Sequence, residues 1–231
     1  MVVVLARDMR SWFSLPQRAI FLLRATPSRG YLCQGSFNER QGQRIYGAST
    51  KPIRRVVTGN DAQGRSRVLF DSAAPNVNPG AIVRGTCMTD IWVYQHSPAP
   101  ISGDRDDGNL PFHFEPPAAG GHLRIVQSPG KPRGYDPVRD PAAVPLHPPR
   151  RRADGVWERG GQNAFSSPIH KSETVDYGIL LSGKRVLLLD SGEIVMKPGD
   201  VVVQLGNWHG WTNPSAPSLM AFVMMGAKLD E

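Results

Sequence analysis

The sequence predicts an all-β protein built around one small closed sheet, and three observations carry that expectation. Glycine (24 residues) and proline (21) together approach a fifth of the 231 residues. Proline is excluded from helix interiors and central strands, so such a chain is rich in turns and long loops. From Thr174 onward, short apolar runs alternate with turn signals and no helical period appears. No glycine-rich phosphate loop or dinucleotide fingerprint is present, which removes the nucleotide-binding α/β folds.

Six strands are expected in the last segment, over residues 177–181, 185–189, 193–196, 201–204, 209–212 and 219–224. The breaks between them are Ser182-Gly183, Asp190-Ser191-Gly192, Lys197-Pro198-Gly199-Asp200, Gly206-Asn207 and the proline-flanked stretch 214–217. Turns at that spacing imply a barrel or sandwich. Upstream, residues 55–59, 67–70 and 87–95 read as strands from their β-branched and aromatic content, and 122–127 from polar–apolar alternation. A polar loop is expected over 97–111 and a long proline-rich loop or lid over 128–165. Within that loop Arg150, Arg151 and Arg152 form a basic triplet, read as solvated charge, with an anion-docking lid as the alternative. The chain thus divides into a basic extension (1–50), N-terminal strands and loops (51–165) and a core barrel (166–231).

The net charge of +7 is concentrated at one end. Residues 1–55 hold ten Lys/Arg and two Asp/Glu, and the remainder is close to neutral. The folded body therefore lacks the basic, aromatic-interleaved face of a nucleic-acid binder. An Arg-rich, acid-poor start is the composition of an organelle transit peptide, the alternative to a plain disordered extension of a cytoplasmic protein. The apolar runs 2–6 and 19–23 are too short to span a membrane. Cys33 and Cys87 form no CxxC pair and imply neither a disulfide framework nor a zinc site.

The chemistry-bearing residues follow from strand parity. If one strand runs unbroken from 170, then His170, Ser172, Thr174 and Asp176 share a face, with Glu173 facing out. His209, Trp211 and Asn213 share a face on a later strand. Polar groups directed into a barrel interior imply a ligand or metal pocket. Two imidazoles and a carboxylate can hold Fe, Mn, Ni or Zn with positions left for substrate. Without metal the same groups serve as general acid and base.

The stretch from His170 through Asp176-Tyr177-Gly178 to Gly183 resembles the first cupin motif. Pro198-Gly199-Asp200-Val201-Val202-Val203-Gln204, followed by Gly206, His209 and Asn213 in a Gly-x-x-His-x-x-x-Asn element, resembles the second. Thr174-Val175-Asp176-Tyr177-Gly178, with matching stretches at 55–64, 90–93 and 115–121, is similar to fungal cupin-domain oxidoreductases associated with polyketide biosynthesis. The resemblance covers about residues 53–226 and implies a double-stranded β-helix, the jelly-roll barrel. It implies an oxidoreductase tailoring a polyketide-type secondary metabolite, with pathway reductases as partners and a homodimer through barrel faces. It implies His170, Asp176 and His209 as catalytic residues or metal ligands, and Trp211, Asn213 and Ser172 as substrate contacts. Ser172 stands where such cupins carry a second histidine, so a divalent metal and a metal-free site both remain open. Two other functions also remain: a metal-independent dehydratase or isomerase, and a non-catalytic cupin that shelters an intermediate for a partner reductase.

Overall fold

A computed structural model describes residues 50–80, 82–83, 85–101 and 105–229. The basic extension expected over 1–50 lies outside the described residues, apart from Thr50. The described chain is built from β-strands and one short 3-10 turn. In order, the strands are β1 (Arg54–Asn60), β2 (Ser66–Ala73), β3 (Asn76–Pro79), β4 (Cys87–Tyr94), β5 (Gly121–Ser128), β6 (Arg150–Arg151) and β7 (Trp157–Glu158). They continue as β8 (His170–Lys171), β9 (Thr174–Ser182), β10 (Arg185–Leu189), β11 (Gly192–Met196), β12 (Val201–Leu205), β13 (Gly210–Thr212) and β14 (Ser218–Gly226).

Two sheets face each other. The first has six strands in the order β12-β9-β14-β5-β4-β3. The second begins as β11-β10-β13 and continues through the bridges Ser166–Thr212 and His170–His209 into β8-β7-β6. The result is the jelly-roll arrangement. Several neighbours in the sheets, such as β14 with β5 and β10 with β13, are distant in sequence, so the chain crosses between the sheets at the ends of the sandwich. The expected boundary at 166 divides a continuous sheet. One edge of β14 pairs with β9 and the other with β5, so β5 is an interior strand of the barrel and not an outer layer.

Strand β10, RVLLL, shows how local sequence sets this up. The short crossover from β9 in the first sheet to β10 in the second turns at Gly183, whose φ is +82°. A Cβ there would lie 2.1 Å from the Pro217 carbonyl oxygen, so only glycine fits. At its other end Leu189 pairs with Gly192, leaving Asp190 and Ser191 as a two-residue hairpin loop. The alternating inward residues of facing strands, among them Met88, Val126, Leu180, Leu187, Met220 and Phe222, form the core. The outer face of β9 and β12 is apolar but open, with Tyr177, Leu181, Val201, Val203 and Leu205 exposed.

One charged pair is sealed inside the core. Arg124 on β5 donates to Asp90 on β4 through Nε at 2.6 Å and Nη2 at 3.1 Å. Its guanidinium also caps the carbonyls of Phe114 (2.9 Å) and His113 (2.7 Å), and lies 4.6 Å from the Phe112 ring centroid. Both side chains are 2% exposed. The pair thereby holds the connection between β4 and β5 across the barrel interior. A buried ion pair gains little over an apolar pair, but removing one partner strands the other charge.

The β1–β2 hairpin stands apart from both sheets and is attached by Arg55, which is 4% exposed. Arg55 pairs with Asp106 and donates to the carbonyl of Ile91 at 3.3 Å. Ile91 is the bulge residue of β4, where the pairing with β5 shifts between Asp90 and Trp92. Its carbonyl is left free by that shift.

The basic triplet is bonded as well as solvated. Arg150 pairs with buried Glu158, Arg151 donates to the Gly155 carbonyl at 2.8 Å, and Arg152 to Asp154 at 2.8 Å. These bonds fasten β6 and its turn while Arg150 and Arg151 stay solvent-exposed, as expected of solvated charge.

Replacing Asp90 with Leu should lower unfolding free energy by about 3–5 kcal/mol. The double change Asp90→Leu with Arg124→Met should recover most of that loss. Chemical denaturation of the three proteins checks both outcomes.

Candidate functional site

The sandwich interior contains a small pocket between the two sheets. Its walls include Met88, Phe114, Val126, Phe222 and Met224, and its polar lining includes His170, Asp176, Gln204, His209, Arg124 and Arg185. It encloses about 60 Å³.

His170 and His209 are brought together by the backbone. Each donates its amide to the other's carbonyl, at 2.8 and 2.9 Å, in the bridge that joins β8 to the chain entering β13. The ring centroids are 4.4 Å apart. His170 Nδ1 lies 2.8 Å from the Pro168 carbonyl oxygen, and His209 Nδ1 lies 2.9 Å from that of Asn207. A carbonyl oxygen only accepts, so both Nδ1 atoms carry the proton and each neutral ring offers only Nε2 to a ligand. Burial holds both imidazoles neutral, with His209 pushed down to about 3 by burial and then by its neighbour His170. Phe114 meets the His170 ring edge-on at 5.7 Å.

Asp176 enters the same pocket from β9, in the opposite sheet. It is 4% exposed, and its Oδ1 has no hydrogen-bond partner. Burial raises its pKa to about 6, against the opposing pull of the Thr174 hydroxyl. Trp211 on β13 forms part of the wall, edge-on to Phe222 at 5.7 Å and to His209 at 6.3 Å. The guanidinium of Arg185 sits 5.7 Å from the Trp211 ring centroid. Burial lowers Arg185 to about 10, which still leaves it charged at neutral pH.

No family model matches the chain. Among curated proteins it is 42% identical over 65 residues to the cupin-domain-containing oxidoreductase srdD of Neurospora crassa, covering 28% of this chain and 33% of that protein. It is 48% identical over 183 residues to the phomopsin biosynthesis cluster proteins C' and D of Diaporthe leptostromiformis, covering 75% of this chain and 78% of each relative. The chain belongs to this fungal family of cupins. Among solved structures, ethanolamine utilization protein Q from Salmonella typhimurium matches 78% of this chain and all of its own, at 11% identity and a TM-score of 0.38. That likeness is too slight to add to the fold already described.

Of the residues expected at the site, the cupin places His170, Asp176, His209 and Trp211 around one pocket. Two others are elsewhere. Asn213 spends every polar atom on structure. Its Oδ1 accepts from Arg185 (3.0 Å) and Ser218 (3.0 Å), and its Nδ2 donates to the carbonyls of Ser128, Pro129 and Ala216. It ties the turn before β14 to the end of β5 and does not line the pocket. Ser172 is buried against Thr174, Oγ to Oγ1 at 2.7 Å, and does not line the pocket. Glu173 is exposed, on the opposite parity.

The expected metal set fails a geometric test. Among the described residues no three His, Cys, Asp or Glu side chains converge closely enough to hold a metal ion. His170 and His209 supply two nitrogen donors, but Asp176 stands on the other sheet and does not complete the set. The unbroken strand that would have aligned His170 with Asp176 is interrupted at Ser172 and Glu173, where the chain leaves one sheet for the other.

Among the polar pocket residues not expected at the site are Gln204, Arg124 and Arg185, although Gln204 lies within the second motif. The signal for Gln204 was present. It alternates with Val202 on β12, and the same parity that directs Asp176 inward directs Gln204 inward beside it. Arg185 carried no such signal, because a charged residue opening a strand reads as solvent-facing.

The raised Asp176 carboxyl has a stability consequence. A group protonated more readily when folded contributes fully below the unfolded carboxyl range near ~4 and loses that contribution as pH rises. Here the loss runs up to about pH 6. Asp176→Asn should therefore gain on the wild type between those limits, by up to about 3 kcal/mol, and hold a constant difference above them. Denaturation midpoints across a pH series measure it, and parallel curves would count against a buried Asp176 carboxyl.

Proposed function

We propose that this cupin is a proton-transfer enzyme of secondary metabolite biosynthesis, working on one end of a flat, mainly apolar intermediate. The observation that supports the reading is a carboxyl group poised near neutrality, with a pKa of about 6, in a mainly apolar pocket beside two neutral imidazoles. A proton-transfer group is most effective when its pKa lies near the working pH. Asp176 takes a proton from carbon or oxygen of the substrate and returns it at another atom. The Nε2 lone pairs of His170 and His209 accept hydrogen bonds from substrate hydroxyls and fix their orientation. The Nε–H of Arg185, buried without a partner, faces the oxygen on which negative charge develops. Phe114, Phe222 and Trp211 keep water out. The reaction class that fits is isomerisation or dehydration of a carbonyl compound, and a polyketide-type intermediate with an aromatic or conjugated body suits the walls.

A second reading is redox tailoring, favoured by the name cupin-domain-containing oxidoreductase that several relatives carry. The nicotinamide cofactor would then belong to a partner reductase, since this chain has no fingerprint for one. The two readings differ in mass balance. Intermediates that accumulate in a strain lacking this gene are incubated with substoichiometric purified protein in deuterated water. Proton transfer gives deuterium incorporation, with unchanged composition or loss of water. A change of two hydrogens that depends on added oxidant or reductant overturns it in favour of redox chemistry. Binding without turnover overturns it in favour of an intermediate-sheltering protein. With turnover established, kcat/KM should rise through a pKa of about 6. Asp176→Asn should remove that limb and lower kcat by roughly 10²–10⁴-fold.

A further inference from the structure

The pocket carries more unmet hydrogen-bonding capacity than its proton chemistry requires. Four polar atoms in its lining are buried without any partner: Gln204 Oε1 and Nε2, Asp176 Oδ1 and Arg185 Nε. Gln204 is 2% exposed. Native interiors leave few such atoms, and a wholly unsatisfied glutamine side chain is the least expected of them. Nothing about packing demands an amide here. Its neighbour on the same face of β12 is Val202, its own sheet supplies Met88, Val126, Phe222 and Met224, and the opposite wall carries His170, His209 and Trp211. A leucine would fill the position without an unmet bond.

The placement gives the orphaned atoms a common target. Gln204 and Asp176 are directly opposite partners on antiparallel β12 and β9. Residues so paired have Cβ atoms roughly 5 Å apart on one face of the sheet. A side-chain amide presents a donor and an acceptor along one planar edge, with a carboxyl next to it as a further acceptor. The complement is a planar group with a carbonyl oxygen adjacent to an N–H or O–H. The space of about 60 Å³ admits one such group and little more. It would equally admit about four waters, each needing roughly 10–15 Å³ of such space.

We propose that Gln204 and Asp176 form a recognition subsite for an adjacent carbonyl and donor, the arrangement of a carboxamide or a hydroxyketone, at the buried end of the substrate. Gln204 Nε2 donates to the carbonyl oxygen, Oε1 accepts from the neighbouring N–H or O–H, and Asp176 takes a remaining hydrogen. This rests on the reading of the pocket as the substrate site, and it deepens that reading by naming the group that enters.

The test uses the full chain and needs no turnover, so it stands or falls separately from the catalytic role of Asp176. Binding of acetamide, hydroxyacetone and acetone is followed by NMR at the Trp211 indole N–H in wild type, Gln204→Leu and Gln204→Met. Acetamide or hydroxyacetone should bind the wild type roughly tenfold more tightly than acetone, which lacks the donor. Both variants should lose that preference. Both should also unfold at equal or higher denaturant concentration than wild type, because each removes unmet polar atoms. The response of the two donor probes separates amide-bearing from hydroxyketone-bearing substrates. Equal binding of all three probes by the wild type, a preference that survives in the variants, or variants less stable than wild type would overturn the proposal. The last outcome would assign Gln204 to structural water.

Discussion

The buried contact between Asp90 and Arg124 organises the rest of the molecule. It joins β4 to β5, but its larger effect is on the chain between them. By capping the carbonyls of His113 and Phe114, the guanidinium holds a loop inside the barrel where an apolar pair could hold only side chains. Phe114 then rests against His170, and His170 is bridged to His209. The relation between the two imidazoles and the six-stranded sheet therefore passes through one arginine. A charge pair of little net stability thus fixes where the loop goes.

The fold was legible because the barrel strands alternate. β10 was read to the residue, and most of the other long strands to within two or three, from period-2 patterning and glycine-bearing turns. Strands β6 and β7 have two residues each, too few to carry a period, and fall in the expected loop over 128–165, while β8, equally short, falls in the expected unbroken strand from His170. The same limit explains the one consequential misreading at the site. His170 and Asp176 do share parity and do meet in one pocket, but not along one strand. Ser172 and Glu173 form the crossing between sheets, so the two residues arrive from opposite walls. Sequence spacing gave the right company for the wrong geometric reason, and a three-ligand metal set does not survive the difference.

Asn213 and Gln204 make an instructive exchange. Asn213 closes a motif and reads as functional, yet the fold consumes all its bonds. Gln204 ends the apolar strand of the same motif and carries no expected role, yet the fold leaves its bonds unmade. Motif position reports which residues a family of structures needs. Only the accounting of donors and acceptors reports which residues the fold leaves available to a ligand.

The bulge at Ile91 has a consequence for pairing fidelity. A β-ladder can slip by a residue wherever its two faces are alike, and a slip exchanges inside for outside. Here the extra residue directs its carbonyl out of the ladder to Arg55, the buried anchor of the β1–β2 hairpin. Gly108 seals the contact, since a Cβ there would lie 2.4 Å from that same oxygen. Only the correct alignment of β4 and β5 presents this carbonyl to the hairpin. The hairpin thus acts as a key that fits one alignment. Through Asp90, immediately before the bulge, that alignment also sets the height at which Arg124 crosses the barrel.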